Sequence, residues 1–184
     1  MRKFLINNIL IIIVTIIAIT GSTLFVYSEQ DQKLEIVFLD VGQGDAIFIT
    51  TPNGRQILVD TGAQNNLGQK LAQHMSVSDR SLDMVIMTHP DLDHVGGILS
   101  LIDRYKIDAV VHSGLQAGAP IYSVIADNII SNSIQTIKAH AGQVIKIDEQ
   151  VFLEVYAPAP HIESFEANEY SVVMKLVYKN TSVT

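Results

Sequence analysis

Residues 88–97 read Thr88-His89-Pro90-Asp91-Leu92-Asp93-His94-Val95-Gly96-Gly97. Two imidazoles and two carboxylates fall within six positions. The apolar run Met84-Val85-Ile86-Met87 before them reads as a buried strand, and Val95, Ile98, Leu99 and Ile102 after them recur at helical spacing. The four groups therefore sit on a turn between a strand and a helix, where open α/β sheets place their ligand sites. Imidazole nitrogen and carboxylate oxygen suit zinc, manganese or iron. A helix cap would account for one Asp. It leaves two His flanking two Asp unexplained, so the pattern predicts metal ligation by His89, Asp91, Asp93 and His94.

Outward from this turn the elements alternate. Leu34 to Leu39, Ala46 to Ile49 and Gln56 to Val59 read as three strands in an antiparallel meander, linked by Gly42 and Gly44 and by the turn Pro52-Asn53-Gly54. Leu67, Leu71 and Met75 mark an amphipathic helix. After the turn, Ile107 to Val111 is a strand ending at His112, and Tyr122 to Ile130 a helix opened by Pro120. Ile134 to Lys138, Val144 to Ile147, Val151 to Tyr156 and Val172 to Tyr178 follow as strands. The order predicts an α/β (α+β) domain, a mixed sheet covered by helices.

The chain has 184 residues, no cysteine and a net charge of −7. One domain and an appendage fit this length. Disulfides, thiolate metal sites and a cysteine nucleophile are excluded. Arg2, Lys3 and Glu29 are the only charges in the first thirty residues, so the remainder is more acidic still and presents no basic run for gripping duplex DNA. Any nucleic-acid substrate must be held locally, with bound metal supplying positive charge. Residues 1–28 stand apart. Arg2 and Lys3 precede an apolar stretch from Phe4 to Tyr27, long enough for a bilayer, which takes about 20 residues. No clean small-residue cleavage site follows it, so a transmembrane anchor is expected, with a cleaved secretion signal as the alternative. The positive start places residues 34–184 outside the cytoplasm, beyond a polar linker at 29–33. No protein partner can be read from the sequence.

The turn resembles the H-x-H-x-D-H signature of the metallo-β-lactamase superfamily through His89, Asp93 and His94, with Asp91 where that signature has its second His. The Asp91 version is similar to the ComEC-like branch, the competence DNA-uptake proteins. The stretch Phe38-Leu39-Asp40-Val41-Gly42-Gln43-Gly44-Asp45-Ala46 resembles the same branch, as do Ile57 to Gly62 and Asn168 to Val173. The resemblance covers about Leu34 to Thr181. It implies an αββα sandwich and a metal-dependent hydrolase of phosphodiesters, possible substrates including DNA. It implies two divalent ions, zinc or manganese, one on His89 and Asp91 and one on Asp93 and His94. Asp91 hardens the first site toward manganese or magnesium without excluding zinc. Asp93 and Asp45 are the candidate catalytic carboxylates. Asp45 either faces the site or structures its Gly-rich loop, and Asp60 either supports the metal turn or only shapes its own. His112 and His140 compete as a further ligand, ahead of His74 and His161. The branch's later bridging Asp, in a Gly-Asp turn after the strand Val172 to Tyr178, has no counterpart within these residues. The domain is thus expected to be incomplete at its C-terminal end and weakly active alone. The competing reading is an inert remnant or interaction protein; a lactonase or thioesterase of the same superfamily ranks behind both.

Overall fold

In the computed structural model, which describes residues 11–20, 33–63, 66–114, 120–160 and 170–184, the three early apolar runs form β1 (Glu35–Phe38), β2 (Ile47–Thr50) and β3 (Gln56–Val59). They pair antiparallel. The chain then changes habit. The helix α2 (Leu67–Leu71) carries it to β4 (Ser81–Met87), which lies parallel to β3, and β5 (Lys106–His112) and β6 (Gln135–Lys138) extend the sheet in parallel. The sheet order is β1-β2-β3-β4-β5-β6. A parallel strand needs a crossover and is covered on both faces. This is why residues 84–87 of β4 and 109–111 of β5 are apolar and buried without a break, while β1, at the sheet edge, has no buried residue.

Two apolar cores result. On one face, Phe48, Leu58, Val85 and Val110 pack with Leu67 and Leu71 of α2, Val95 of α3 (Leu92–Val95), Ile98 and Leu101 of α4 (Ile98–Ile102), and Ile125 and Ile129 of α5 (Pro120–Ser131). On the other, the alternate residues Ile49, Ile57, Ile86 and Val111 meet Leu153, Val155 and Leu176 of a second sheet. That sheet is antiparallel, in the order β10-β9-β8-β7, from β7 (Val144–Lys146), β8 (Val151–Ala157), β9 (Val173–Tyr178) and β10 (Thr181–Val183). The layers are helices, mixed sheet and antiparallel sheet. Among the described residues no helix covers the outer face of the second sheet, so three layers of the expected αββα sandwich are seen.

Two further differences have local causes. The helix expected to run on from the signature turn is broken into α3 and α4 at Gly96-Gly97, because the Gly97 amide bonds the Gly62 carbonyl at 3.0 Å instead of continuing the helix. The strand β10 was not expected; its residues Thr181-Ser182-Val183 are all exposed and owe their conformation to pairing with β9.

The chain divides into two units, 1–33 and 34–184. Of the first, residues 11–20 form a helix, α1. Among the described residues no helix is long and apolar enough to cross a membrane. Most of the expected span Phe4 to Tyr27 lies outside the described residues, as do the expected linker at 29–32, His161 and Asn168.

Candidate metal centre

The signature turn sits where β4 ends, and three motifs distant in sequence are stitched around it. Asp60 follows β3. Its backbone is in the left-handed region at φ 58°, a conformation Asp tolerates better than most residues. That geometry lets its amide bond the Ile86 carbonyl (2.8 Å) while its carboxylate turns across to the neighbouring strand end. The carboxylate accepts the Thr88 amide at 2.8 Å and the Thr88 hydroxyl. Its Oδ2 also lies 2.8 Å from His94 Nδ1. Thr61 and Gly62 continue the seam: the Thr61 amide donates to the His94 carbonyl at 2.7 Å, and the Gly62 amide to the Asp45 carbonyl at 3.0 Å. The Val172 amide donates to the Thr88 carbonyl at 2.7 Å, tying the late motif to the same point.

The Gly-rich loop of residues 40–46 lies directly on the turn. A methyl group on Gly44 would stand 1.7 Å from the Asp93 carbonyl oxygen, and Gly44 has φ +89°. Only glycine meets both demands. Gly97 is similarly closed in, its Cβ position 2.5 Å from the Thr61 carbonyl oxygen.

Within the turn, His89 and His94 stand edge to face with ring centroids 5.2 Å apart. His89 Nδ1 accepts the Asp91 amide at 3.3 Å and lies 3.6 Å from the Asp91 carboxylate. Asp91 is largely exposed, whereas Asp60 is buried. Burial pushes the Asp60 carboxyl up, against the pull of the Thr88 and His94 donors. Burial also works against a charged His94, but the Asp60 bond and the charges of Asp60, Asp93 and Asp45 outweigh it and raise its pKa. The two rises have separate causes: burial for Asp60, and the surrounding carboxylates for His94. The charge of Asp45 thus acts on His94, while its backbone also anchors the loop.

The donor set is right for a divalent ion: two imidazoles, one already braced by a buried carboxylate as metal-bound His usually is, and carboxylate oxygens. The placement is looser. Among the described residues no three His, Asp or Glu side chains converge on one point where a metal ion could sit.

Of the other candidates, His112 ends β5 opposite Met87 and shares a small cleft with His89. Burial and the nearby Lys138 lower its pKa. His140 lies in an exposed loop, its Nδ1 3.1 Å from the Ala141 carbonyl, and His74 is exposed after α2. Neither has a contact with the turn in the structure as described. Sequence reasoning missed Tyr122, which reaches the same cleft as His89 and His112 from α5. Its pKa is pushed up to about 12 by burial and by the charge of Asp91. Its spacing with Ile125 and Ile129 marks it only as a core residue, so no sequence signal sets it apart.

The chain is similar to known proteins in sequence and in fold. Residues 39–119 match the Metallo-beta-lactamase superfamily. Over 154 residues the chain is 25% identical to ComE operon protein 3 of Bacillus subtilis (strain 168), covering 74% of this chain and 20% of that protein. Zn(2+)-bound PqqB from Methylobacterium extorquens has a similar fold, with a TM-score of 0.53 at 13% identity, over 75% of this chain and 50% of its own. The chain therefore spans a fifth of the one relative and half of the other. The segment that holds the signature turn, the Gly-rich loop and the Asp60 brace matches the metallo-β-lactamase superfamily, and the chain that carries it is ComEC-like.

Proposed function

We propose that the chain is a membrane-anchored, extracytoplasmic metal-dependent hydrolase acting on phosphodiesters, DNA among the possible substrates. The observation that carries this reading is the packing of the Asp45 loop onto the Asp93 backbone, which joins the two most ComEC-like motifs into one site. His89 and Asp91 would hold one divalent ion, and Asp93 and His94 a second. Such ions, once bound, supply an activated water and neutralise phosphodiester charge. Asp60 fixes the His94 ring by taking its Nδ1 proton into a hydrogen bond, which leaves Nε2 as the ring's coordinating atom. Asp45, on the loop over the turn, is the nearby carboxylate available to accept a proton from the attacking water.

For the anchor, the support is local. Residues 11–20 are helical, and the hydroxyls of Thr15 and Thr20 donate to the carbonyls of Ile11 (2.6 Å) and Ile16 (2.8 Å). Polar groups bonded back into their own helix are what an apolar surrounding demands. A protease added to intact cells should digest residues 34–184; protection of that domain would show the orientation to be inverted.

The second reading, an inert fold or interaction protein, is favoured by one observation: no three ligand side chains converge among the described residues. Hydrolysis of a chromogenic phosphodiester with added manganese separates the two. Enzyme chemistry requires turnover that is slow, metal-dependent and lost in His94→Ala. A protein that binds manganese at the turn but shows no turnover is the inert form.

A further inference from the structure

Beneath the signature turn, on the helical side of the six-stranded sheet, a narrow cleft is lined by Met87, His89, His112, Ser113 and Tyr122. Its free volume is about 10 Å³, close to the space one water molecule needs. Three different elements bring these residues together: the turn after β4, the end of β5 and the first turn of α5. Two buried polar atoms here, His112 Nδ1 and Tyr122 Oη, have no hydrogen-bond partner among the described residues. Tyr122 is only 5% exposed, so bulk solvent does not satisfy its hydroxyl. Buried polar groups in native proteins are paired, by protein or by ordered water, because an unpaired one is costly. A single oxygen in this cleft satisfies both. It accepts the Tyr122 hydroxyl proton and donates its own to His112 Nδ1.

We propose that the cleft binds one ordered water, bridged between Tyr122 Oη and His112 Nδ1 against the His89 ring, and that this bridge sets the metal affinity of the signature turn. The inference rests on the reading of His89 as a metal ligand. Tyr122 and His112 are then positioning residues. They touch neither metal nor substrate; they line the cleft against which the His89 ring lies, and outer partners of a metal-bound ring typically change metal affinity by about 10–100-fold.

The test uses the full chain and manganese alone, followed by isothermal titration calorimetry. Tyr122→Phe removes one oxygen and should weaken manganese binding about 10-fold or more, while the unfolding temperature of the metal-free protein stays near that of the parent. His112→Ala should do the same, and His112→Asn, which keeps a hydrogen-bonding group near Nδ1, should restore part of the affinity. A merely structural role would lower the metal-free unfolding temperature of every variant and leave the affinity of the folded fraction unchanged. If Tyr122→Phe binds manganese as tightly as the parent while His89→Ala has lost it, the brace is wrong and the metal reading stands. If His89→Ala also binds as the parent does, the metal reading fails and the brace with it.

Discussion

The Nδ1 atom of His94 lies 2.8 Å from the Asp60 carboxylate across 34 positions of sequence. Asp60 also takes both the amide and the hydroxyl of Thr88, so one buried carboxylate fixes the first and last parts of the signature turn. Asp60→Ala leaves three donors facing a hole. It should cost about 2–4 kcal/mol in urea unfolding, the range for breaking a buried hydrogen-bond network. Asp60→Asn keeps one acceptor and the shape. Its stability loss should be smaller, while manganese affinity still falls by about 10-fold or more because the ring orientation is no longer enforced. Equal stability of the Ala and Asn variants would argue against the network.

Gly44 and Gly54 form a matched pair of substitutions. Both have left-handed φ, +89° and +79°. A methyl at Gly54 meets nothing within 4 Å, so Gly54→Ala tests backbone strain alone, about 1–2 kcal/mol. At Gly44 the methyl meets the Asp93 carbonyl. Gly44→Ala should cost clearly more than Gly54→Ala and should also displace the turn, with metal binding lost. Similar losses at both sites, measured by thermal unfolding, would mean the loop moves aside easily.

Much of this architecture was legible because hydrophobic patterning is local. The meander of β1 to β3 and the apolar stretches 84–87 of β4 and 109–111 of β5 follow from which faces are covered, and each can be read from a few adjacent residues. What could not be read depends on distant partners. Gly97 ends a helix only because the Gly62 carbonyl and the Thr61 hydroxyl are there to take its amide. The strand Thr181–Val183 has no apolar face of its own to announce it. In the centre, four ligand-type residues stand out in one decapeptide. The role of Asp60 required knowing that β3 and β4 are parallel neighbours, which brings its carboxylate level with Thr88. Tyr122 was hidden by being apolar in all but one atom.

Protonation of His112 gives a pH dependence of definite sign. Burial, helped by Lys138, holds its pKa below the ordinary 6.5 in the folded protein. Between that lowered value and 6.5 the unfolded chain binds more protons, so the contribution is complete above about 6.5 and lost as pH falls through the window. His94 works in the opposite sense: its folded pKa is raised, so its contribution is present below 6.5 and lost as pH rises through the folded value. Comparing parent with His112→Asn isolates the first effect. The parent should lose stability from about pH 6.5 to pH 5 more steeply than the variant in denaturant titrations. Parallel curves would show that His112 titrates normally.

Asp91 stands where the superfamily signature has its second His, and its side chain is 62% exposed, so an imidazole can be accommodated there without repacking. Carboxylate oxygen favours manganese and magnesium, whereas imidazole favours zinc. If Asp91 ligates with His89, then Asp91→His replaces one hard donor of that ion by a borderline one and leaves the Asp93 and His94 pair untouched. Zinc should gain on manganese by about 10-fold or more in competition titrations, and only for one of the two ions. His89→Ala in the same background should erase the gain, because the new imidazole would have lost its fellow ligand. An unchanged zinc-to-manganese ratio in Asp91→His, with both metals still bound, would remove Asp91 from the ligand set and leave it as an exposed cap of the short helix that follows.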